Sequence, residues 1–305
     1  MARVSISQRI KYNGGLKKSI IKFFTKGRSN RSVGGTVFLL IFICLFAAFA
    51  LFPVLFMIGN AFKPLRELHR YPPTLFAQNP TWKNFSDLIQ YANESLVPFT
   101  RYLFNTGILV IACCVGQIVL SAAAAFPIAK FDFKGKKFLD SIVVYALMFS
   151  GAVTAVPNYI IMNKMGLIDS LWAIILPAFA STLGLYLLKN FMVMIPDALI
   201  EAASIDGATH FYILLNVIMP VIKPAIMTVF IFTFQGIWGN TGGSFLYTEN
   251  IKPLSYMISK ISAAGIARQG MSSAASLIMF IIPLTVFIIA QSNVMETMAT
   301  SGMKD

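Results

Sequence analysis

The sequence predicts an all-α membrane protein with six transmembrane helices. Charged residues make up only 12% of the chain, apolar residues make up 57%, and the mean hydropathy is +0.72, whereas soluble domains carry about 25% charged residues. Six windows of at least nineteen residues contain no Asp, Glu, Lys or Arg, and about twenty apolar residues suffice to cross the hydrocarbon core. These windows are Ser32–Phe62, Tyr102–Ala129, Ser141–Asn163, Ser170–Leu188, Pro224–Thr248 and Gln269–Met295.

Chance does not explain charge-free windows of this length. At ordinary charge usage, a 25-residue window without a charge arises about once in a thousand trials. A charged side chain at the centre of a membrane helix costs about 2.5–3.5 kcal/mol on insertion scales. The gaps therefore indicate that lipid is the solvent for these segments.

The distribution of Lys and Arg predicts the orientation. Nine of these residues precede the first window, and an even number of spans puts both termini on one side. The positive-inside rule makes that side the cytoplasm, and the basic loop Lys130–Lys137 then also lies inside. We therefore expect a cytoplasmic tail at residues 1–31, a transmembrane domain at 32–295 and a cytoplasmic tail at 296–305. Within the domain, residues 63–101 form an outer segment and residues 190–223 form an inner loop.

The basic N-terminal tail contains an apolar-basic run, Lys17–Phe24, that fits an in-plane helix on anionic lipid headgroups. A solvated, unstructured tail is the alternative. The net charge of +13 could also suggest nucleic acid, but the tail lacks patterned aromatic residues and base-reading motifs. We expect membrane lipid as a partner and no nucleic acid.

The outer segment divides into two parts. Four prolines keep its first half extended, and Trp82–Ile89 then predicts a short amphipathic helix near the membrane interface. The prolines are Pro64, Pro72, Pro73 and Pro80.

The inner loop is a long polar interruption in a chain that is otherwise close to all-apolar. Pro196 fits the start of a helix, Asp197–Ile205, and Gly207 can take the left-handed turn that ends it. A second helical run, Thr209–Val217, is closed by two prolines, Pro220 and Pro224.

The side chains of the first helix suit contact with another protein. Ala202 and Ala203 leave one side of it with a low profile, and Glu201 and Asp206 provide carboxylates for basic partner residues. An ordinary helical hairpin is the alternative interpretation.

Glu201-Ala202-Ala203, Gly207 and the close Val217-Ile218-Met219-Pro220 resemble the EAA loop of ATP-binding-cassette (ABC) importer permeases. The family pattern ends in Ile-x-Leu-Pro, where this chain has Val217 and Met219. The resemblance implies the type I ABC importer permease fold and a location in the bacterial plasma (inner) membrane. It also implies that Glu201, Ala202, Ala203, Asp206 and Gly207 couple the chain to an ATPase.

The same resemblance implies several partners. They are a homologous second permease, two cytoplasmic ATPase subunits that bind ATP and Mg, and an extracellular or periplasmic solute-binding protein.

The C-terminal stretch Met298–Lys304 resembles the tail of maltose-type permeases, which implies that Ser301, Gly302 and Met303 contact the ATPase. A frayed terminus is the alternative. The long outer segment resembles segments that meet the solute-binding protein in carbohydrate-importer permeases, and an interfacial cap without a partner is the alternative. Together with this tail, it favours the second permease of the carbohydrate-uptake branch.

Polar residues inside the windows are candidates for the solute path: Asn105, Asn158, Gln235, Trp238 and Asn240. Such side chains usually face the interior of a helix bundle, where they bond another helix or line a cavity. The cluster Gln235–Gly243 combines an aromatic face with amides, which is a pairing that suits sugars.

Other functions are less well supported by the sequence. The chain has no G-x-x-x-x-G-K-[ST] phosphate loop, and its two histidines, His69 and His210, fall on opposite sides of the membrane in the predicted topology. We expect no enzyme activity, metal or cofactor in the chain itself, and expect Cys44, Cys113 and Cys114 to act as small apolar residues.

Three alternatives stay open. They are an ABC importer for a peptide, polyamine or phosphonate, a secondary transporter driven by an ion gradient, and a membrane scaffold or receptor. Ion-coupled carriers usually need a charged residue or a histidine within their spans, and the six windows contain no Asp, Glu, Lys, Arg or His.

Overall fold

A computed structural model describes residues 33–94 and 97–301, and this part of the chain folds into helices joined by loops and turns. The predicted in-plane helix, and Gly302 and Met303 of the predicted tail contact, lie outside the described residues. The α-helices are α1 (Val33–Phe62), α2 (Leu65–Leu68), α3 (Lys83–Glu94), α4 (Phe99–Lys130), α5 (Lys136–Leu147), α6 (Gly151–Lys164), α7 (Trp172–Phe179), α8 (Thr182–Val193), α9 (Asp197–Ile205), α10 (His210–Tyr212), α11 (Met219–Val221), α12 (Lys223–Trp238), α13 (Leu254–Ala263) and α14 (Gln269–Ser301).

Four stretches are long and apolar enough to cross a membrane unaided: Val37–Phe62, Phe99–Lys130, Trp172–Val193 and Gln269–Gln291. Two bent pairs of helices also meet this criterion of length and composition. The pair α5 and α6 bends by 108°, and the run His210–Val221 meets α12 at 83°. Counting each bent pair as one span gives six, which agrees with the predicted number.

The third and fifth windows are not continuous helices, and the fourth is divided between Phe179 and Thr182. In the third window, Ser150 adopts an extended conformation and its hydroxyl accepts a hydrogen bond from the Ala152 amide, which starts a new helix. In the fifth window, α12 ends at Trp238, and Gly242 and Gly243 have positive φ angles of 84° and 45°. Since these conformations suit glycine and not a helix, the last ten residues of the window, 239–248, form a loop.

The chain forms two compact units that divide within α1, one ending at Phe56 and the other beginning at Met57. In the first unit, the described residues are the charge-free, apolar part of α1. All functional residues discussed below belong to the second unit.

Helix α4 is the central element of the second unit. Its small residues allow neighbouring helices to approach closely. Gly116 faces the ring of Phe179 in α7, and a Cβ atom built on Gly116 would lie 2.0 Å from that ring. Between α4 and α12, the Thr233 hydroxyl donates a 2.6 Å hydrogen bond to the Gln117 side chain. The C-terminal half of α4 packs into a buried apolar core, which we call the inner cluster after the predicted topology: Ala122, Ala125, Phe126, Leu188, Met192, Ile195, Ile200, Ile213, Leu214, Ile218, Ile222, Ala225 and Val229.

A second core lies at the other end of the unit, where α3, α13 and α14 meet. Leu88, Met257 and Ala275 are buried there. The buried Asn84 side chain donates to the carbonyls of Ala61 and Lys63, both at 2.8 Å. The predicted amphipathic helix is therefore confirmed as α3, and it runs five residues beyond the predicted end at Ile89.

Candidate functional site

The first helix of the inner loop, α9, has the predicted bounds, Asp197–Ile205. Gly207 follows it with φ +82°, so the predicted left-handed turn is confirmed. The Gly207 amide donates to the Ser204 carbonyl at 3.1 Å, and the Ala208 amide donates to the Ala203 carbonyl at 3.0 Å. These two bonds form a Schellman motif, which satisfies carbonyls at the end of the helix and fixes its direction.

One face of α9 packs inward and the other is exposed. Ile200 is buried in the inner cluster, and Ala203 packs against the same cluster. Glu201, Ala202 and Ile205 are exposed, and Ile205 is 87% exposed. The structure thus separates the two alanines, since only Ala202 lies on the exposed face with Glu201.

The inner end of α4 holds the start of α9. The Lys130 side chain is 3% exposed, and its ammonium group donates to the Ile195 carbonyl and, at 2.7 Å, to Asp197 Oδ1. The ring of Phe131, the next residue, packs edge-on against His210 at 4.9 Å. Residues 130–131 therefore contact the chain on both sides of α9.

The second half of the inner loop is helical but irregular. The Thr209 hydroxyl caps it by accepting from the Tyr212 amide at 3.3 Å. A π-helix, Ile213–Ile218, then joins α10 to α11. The run reaches Val221, so the predicted end at Val217 is wrong. Pro220 lies in the first turn of α11, where the absence of its amide hydrogen breaks no bond of that helix.

Three of the predicted solute-path residues make hydrogen bonds within the chain. Asn105 donates to the carbonyls of Asn250 and Lys252 at 2.8 and 3.0 Å. The buried Trp238 donates to the Met279 carbonyl at 3.0 Å, and Asn240 accepts from the Gly242 amide at 2.7 Å. Gln235 is exposed and Asn158 is half-buried. The five residues remain predictions as solute contacts.

The structure also contains an aromatic cavity that sequence reasoning missed. It has a volume of about 450 Å³, is open to the surface, and is lined by Tyr159 and Val156 of α6 and by Phe245 and Tyr247 of the loop after α12. The two tyrosine hydroxyls lie 3.2 Å apart, and the rings of Tyr159 and Phe245 are 6.1 Å apart. The sequence feature that could have indicated this cavity was the presence of three aromatic residues close to Asn158 and Gly243.

Asp169 fixes the loop that forms one wall of this cavity. Its amide donates to the Phe245 carbonyl at 2.8 Å, and its carboxylate accepts from the Tyr247 and Thr248 amides at 2.7 and 2.8 Å. The Thr248 hydroxyl donates to the same carboxylate. This hydroxyl bond, and then the amide bonds, hold the pKa of Asp169 below its ordinary value. Asp169 has φ +62° without being glycine, so the contacts hold it in an unfavourable conformation.

Comparison with known proteins assigns the family. Residues 117–297 match the family described as "Binding-protein-dependent transport system inner membrane component". LplC of Bacillus subtilis is 29% identical over 206 residues, which cover 67% of this chain and 66% of LplC. From the same organism, the polygalacturonan/rhamnogalacturonan transport system permease protein YtcP is 28% identical over 75% of this chain and 78% of its own length.

A solved structure has the same fold. It is a chain of a bacterial ABC transporter involved in the import of the acidic polysaccharide alginate, with a TM-score of 0.72 and 18% identity. The match covers 96% of this chain and 99% of that one. The predicted fold, that of an ABC importer permease, is thereby confirmed. With 181 of its 305 residues inside the family match, this chain belongs to the inner-membrane component family of binding-protein-dependent transport systems.

Proposed function

We propose that this chain is one of two permease subunits of an ATP-driven importer, and that the importer takes up an oligosaccharide across the bacterial plasma membrane. Its family supports the transport function, and the names of YtcP and of the alginate transporter support the carbohydrate. The other partners are a homologous permease, two cytoplasmic ATPase subunits that bind ATP and Mg, and a solute-binding protein outside. The termini then lie in the cytoplasm.

The exposed face of α9 is the observation on which this proposal mainly rests. Ile205 is 87% exposed on the face opposite the inner cluster, and Leu199, at the flank of this short helix, is 46% exposed. Fully burying such side chains contributes about 1.5–3 kcal/mol each. A groove on each ATPase subunit would cover them, with Glu201 paired to a basic residue of the groove and Ala202 allowing close approach.

Coupling requires that α9 bind differently to the two states of the ATPase. ATP binding closes the ATPase dimer and moves its two grooves. A helix seated in a groove follows, and the spans connected to it change the cavity from inward-facing to outward-facing. The rigid Schellman turn at Gly207 makes α9 suitable for this role, because a frayed helix would absorb the movement.

For the solute, we propose that the aromatic cavity contacts sugar rings. Aromatic faces stack on the apolar faces of sugars, and the hydroxyls of Tyr159 and Tyr247 can exchange hydrogen bonds with sugar hydroxyls. Asp169 holds the cavity wall in place before the solute arrives, which reduces the ordering cost of binding. In the predicted topology this cavity lies at the outer side, where a binding protein delivers its solute.

Reconstitution of the complete transporter in vesicles tests the proposal. The transported probe is the glycan that the purified binding protein selects from a panel of oligogalacturonides, oligomannuronates and malto-oligosaccharides. Uptake should require ATP and should persist when ionophores collapse proton and sodium gradients. Uptake that follows an ion gradient without ATP would refute the proposal.

A charge reversal tests the role of α9. Glu201→Lys should abolish uptake while the subunit still inserts and assembles. Asp132→Lys, a matched reversal at a fully exposed carboxylate outside the inner loop, should transport normally, because exposed ion pairs such as Asp132–Lys136 contribute little. A photo-crosslinker at Ile205 should capture the ATPase, and capture of lipid alone would contradict the coupling role.

A further inference from the structure

We infer that Lys130 connects α9 to α4, so that α4 carries the movement of the inner loop to the outer side of the membrane. The inference rests on the proposed coupling function and adds the route by which the movement travels. Lys130 acts through other groups and is therefore a positioning residue.

The contacts of Lys130 bind it to the start of α9. Its ammonium group donates to a backbone acceptor, the Ile195 carbonyl, and to the Asp197 carboxylate at 2.7 Å. The Lys130 side chain is 3% exposed, whereas Asp197 is 73% exposed. Displacing α9 from α4 would leave a buried ammonium group without these acceptors, which is a strongly unfavourable state. The two helix ends should therefore move together.

The neighbouring residue makes a second contact with the inner loop. Phe131 packs against His210 beyond the end of α9, and at 5.2 Å against Phe126 of α4. The end of α4 is thus tied to the chain before α9 and after it. Rotation of α9 about either end alone would disturb one of these contacts.

The alternative route through α12 is interrupted. Between α9 and α12 the chain passes through the π-helix Ile213–Ile218 and an 83° bend. Helix α4, by contrast, is one helix of 32 residues, and Pro127 in its last turn does not end it. At 1.5 Å per residue it extends about 48 Å, enough to cross the membrane.

The outer end of α4 holds the loop next to the aromatic cavity. Asn105 donates to the carbonyls of Asn250 and Lys252, and the Tyr102 hydroxyl donates to Glu249 at 3.0 Å. These residues follow directly after the cavity wall, which ends near Thr248. Movement of α4 would therefore reach the region that we assign to the solute.

The test measures coupling, namely the glycan transported per ATP hydrolysed by the complete transporter in vesicles. Lys130→Met keeps the aliphatic stem but removes the ammonium group. We expect uptake per ATP to fall at least about tenfold, within the usual range of coupling between sites, while ATP hydrolysis changes less than about twofold. Lys130→Arg keeps a donor for both acceptors and should restore most of the coupling.

A matched control makes the same change at an ion pair between α5 and α8 whose lysine is also largely buried. Lys189 of α8 is 11% exposed and pairs with Asp140 of α5. Lys189→Met removes an ammonium group of the same kind without touching α9, and it should keep the normal ratio of uptake to hydrolysis.

The outcomes separate the two proposals. If Lys130→Met keeps the normal ratio while Glu201→Lys abolishes uptake, the α4 route is wrong and the coupling role of α9 stands. If Lys189→Met loses as much coupling as Lys130→Met, the effect is general and the inference is also overturned. If Lys130→Met prevents assembly, Asp197→Ala decides, since it removes the side-chain acceptor on α9 and keeps the bond to Ile195; a normal ratio in that variant overturns the inference.

Discussion

The turn after α9 gives the sharpest quantitative prediction. Gly207 has φ +82°, which costs a residue with a side chain about 1–2 kcal/mol. A Cβ atom built on Gly207 meets nothing within 4 Å, so the backbone conformation alone sets the cost of Gly207→Ala. This cost raises the open population of the turn about 5- to 30-fold. The amide of Ala208, bonded to Ala203 at 3.0 Å, should exchange with solvent faster by the same factor.

Hydrogen exchange in detergent or nanodiscs measures this effect without a known solute. Gly207→Asn should lose less protection, because Asn tolerates the left-handed region. Gly207→Pro should lose most, because proline fixes φ near −65° and removes the donor to Ser204. Gly135→Ala is the control, since Gly135 has φ +95° and equal space in another loop. Exchange of Ala208 within twofold of the parent in Gly207→Ala would refute the reasoning.

Three further outcomes follow from the second unit. Gly116→Ala places a Cβ against the Phe179 ring and should lower the stability of the fold by about 1–3 kcal/mol through overpacking. The loss should be measurable as a smaller monodisperse fraction after mild heating. Gly107→Ala is the control, because Gly107 has open space on the same helix, and it should leave this fraction unchanged. The pKa of Asp169 is lowered in the folded protein. The ionised Asp169 carboxylate therefore contributes fully to the stability of the loop at any pH above its ordinary pKa of 3.8, and this stability is lost as the pH falls through the lower pKa of the folded state. Protection of the Tyr247 amide, corrected for intrinsic exchange, should therefore stay constant from about pH 8 to about pH 5, and a loss within that range would contradict the assignment. Tyr247→Ala should raise the KM for the glycan more than it lowers kcat, whereas an unchanged KM would remove the aromatic cavity from the solute path.

The elements that local chemistry determines could be predicted from the sequence. Helix α9 has its predicted bounds because Pro196 has a fixed φ angle and Gly207 permits a positive one, and both properties are local. The six crossings are equally local, since each depends on the absence of charge over one window. The end of the second helical segment of the inner loop was predicted wrongly, because a proline such as Pro220 can occupy the first turn of a new helix as well as end the preceding one.

The candidate site depends on contacts between distant segments, which single-sequence patterns do not contain. Lys130 was assigned only to a basic loop, and its bonds to Ile195 and Asp197 cross 65 and 67 residues of chain. Asp169 carries no motif, yet it determines where Tyr247 lies. For Asn105 and Trp238, the sequence did show a polar side chain inside a span, but it did not show which groups those side chains bond.

The π-helix between α10 and α11 has a consequence for how the length of this chain can vary. Its hydrogen bonds enclose one residue more than those of an α-helix. Removing one residue from Ile213–Ile218 would restore ordinary helical bonding and leave the surfaces before and after it facing the same neighbours. The same deletion in α8 would rotate everything beyond it by about 100° and turn its buried side toward lipid. A homologous chain with a one-residue deletion in the helical run between His210 and Val221 should therefore carry the gap in this segment.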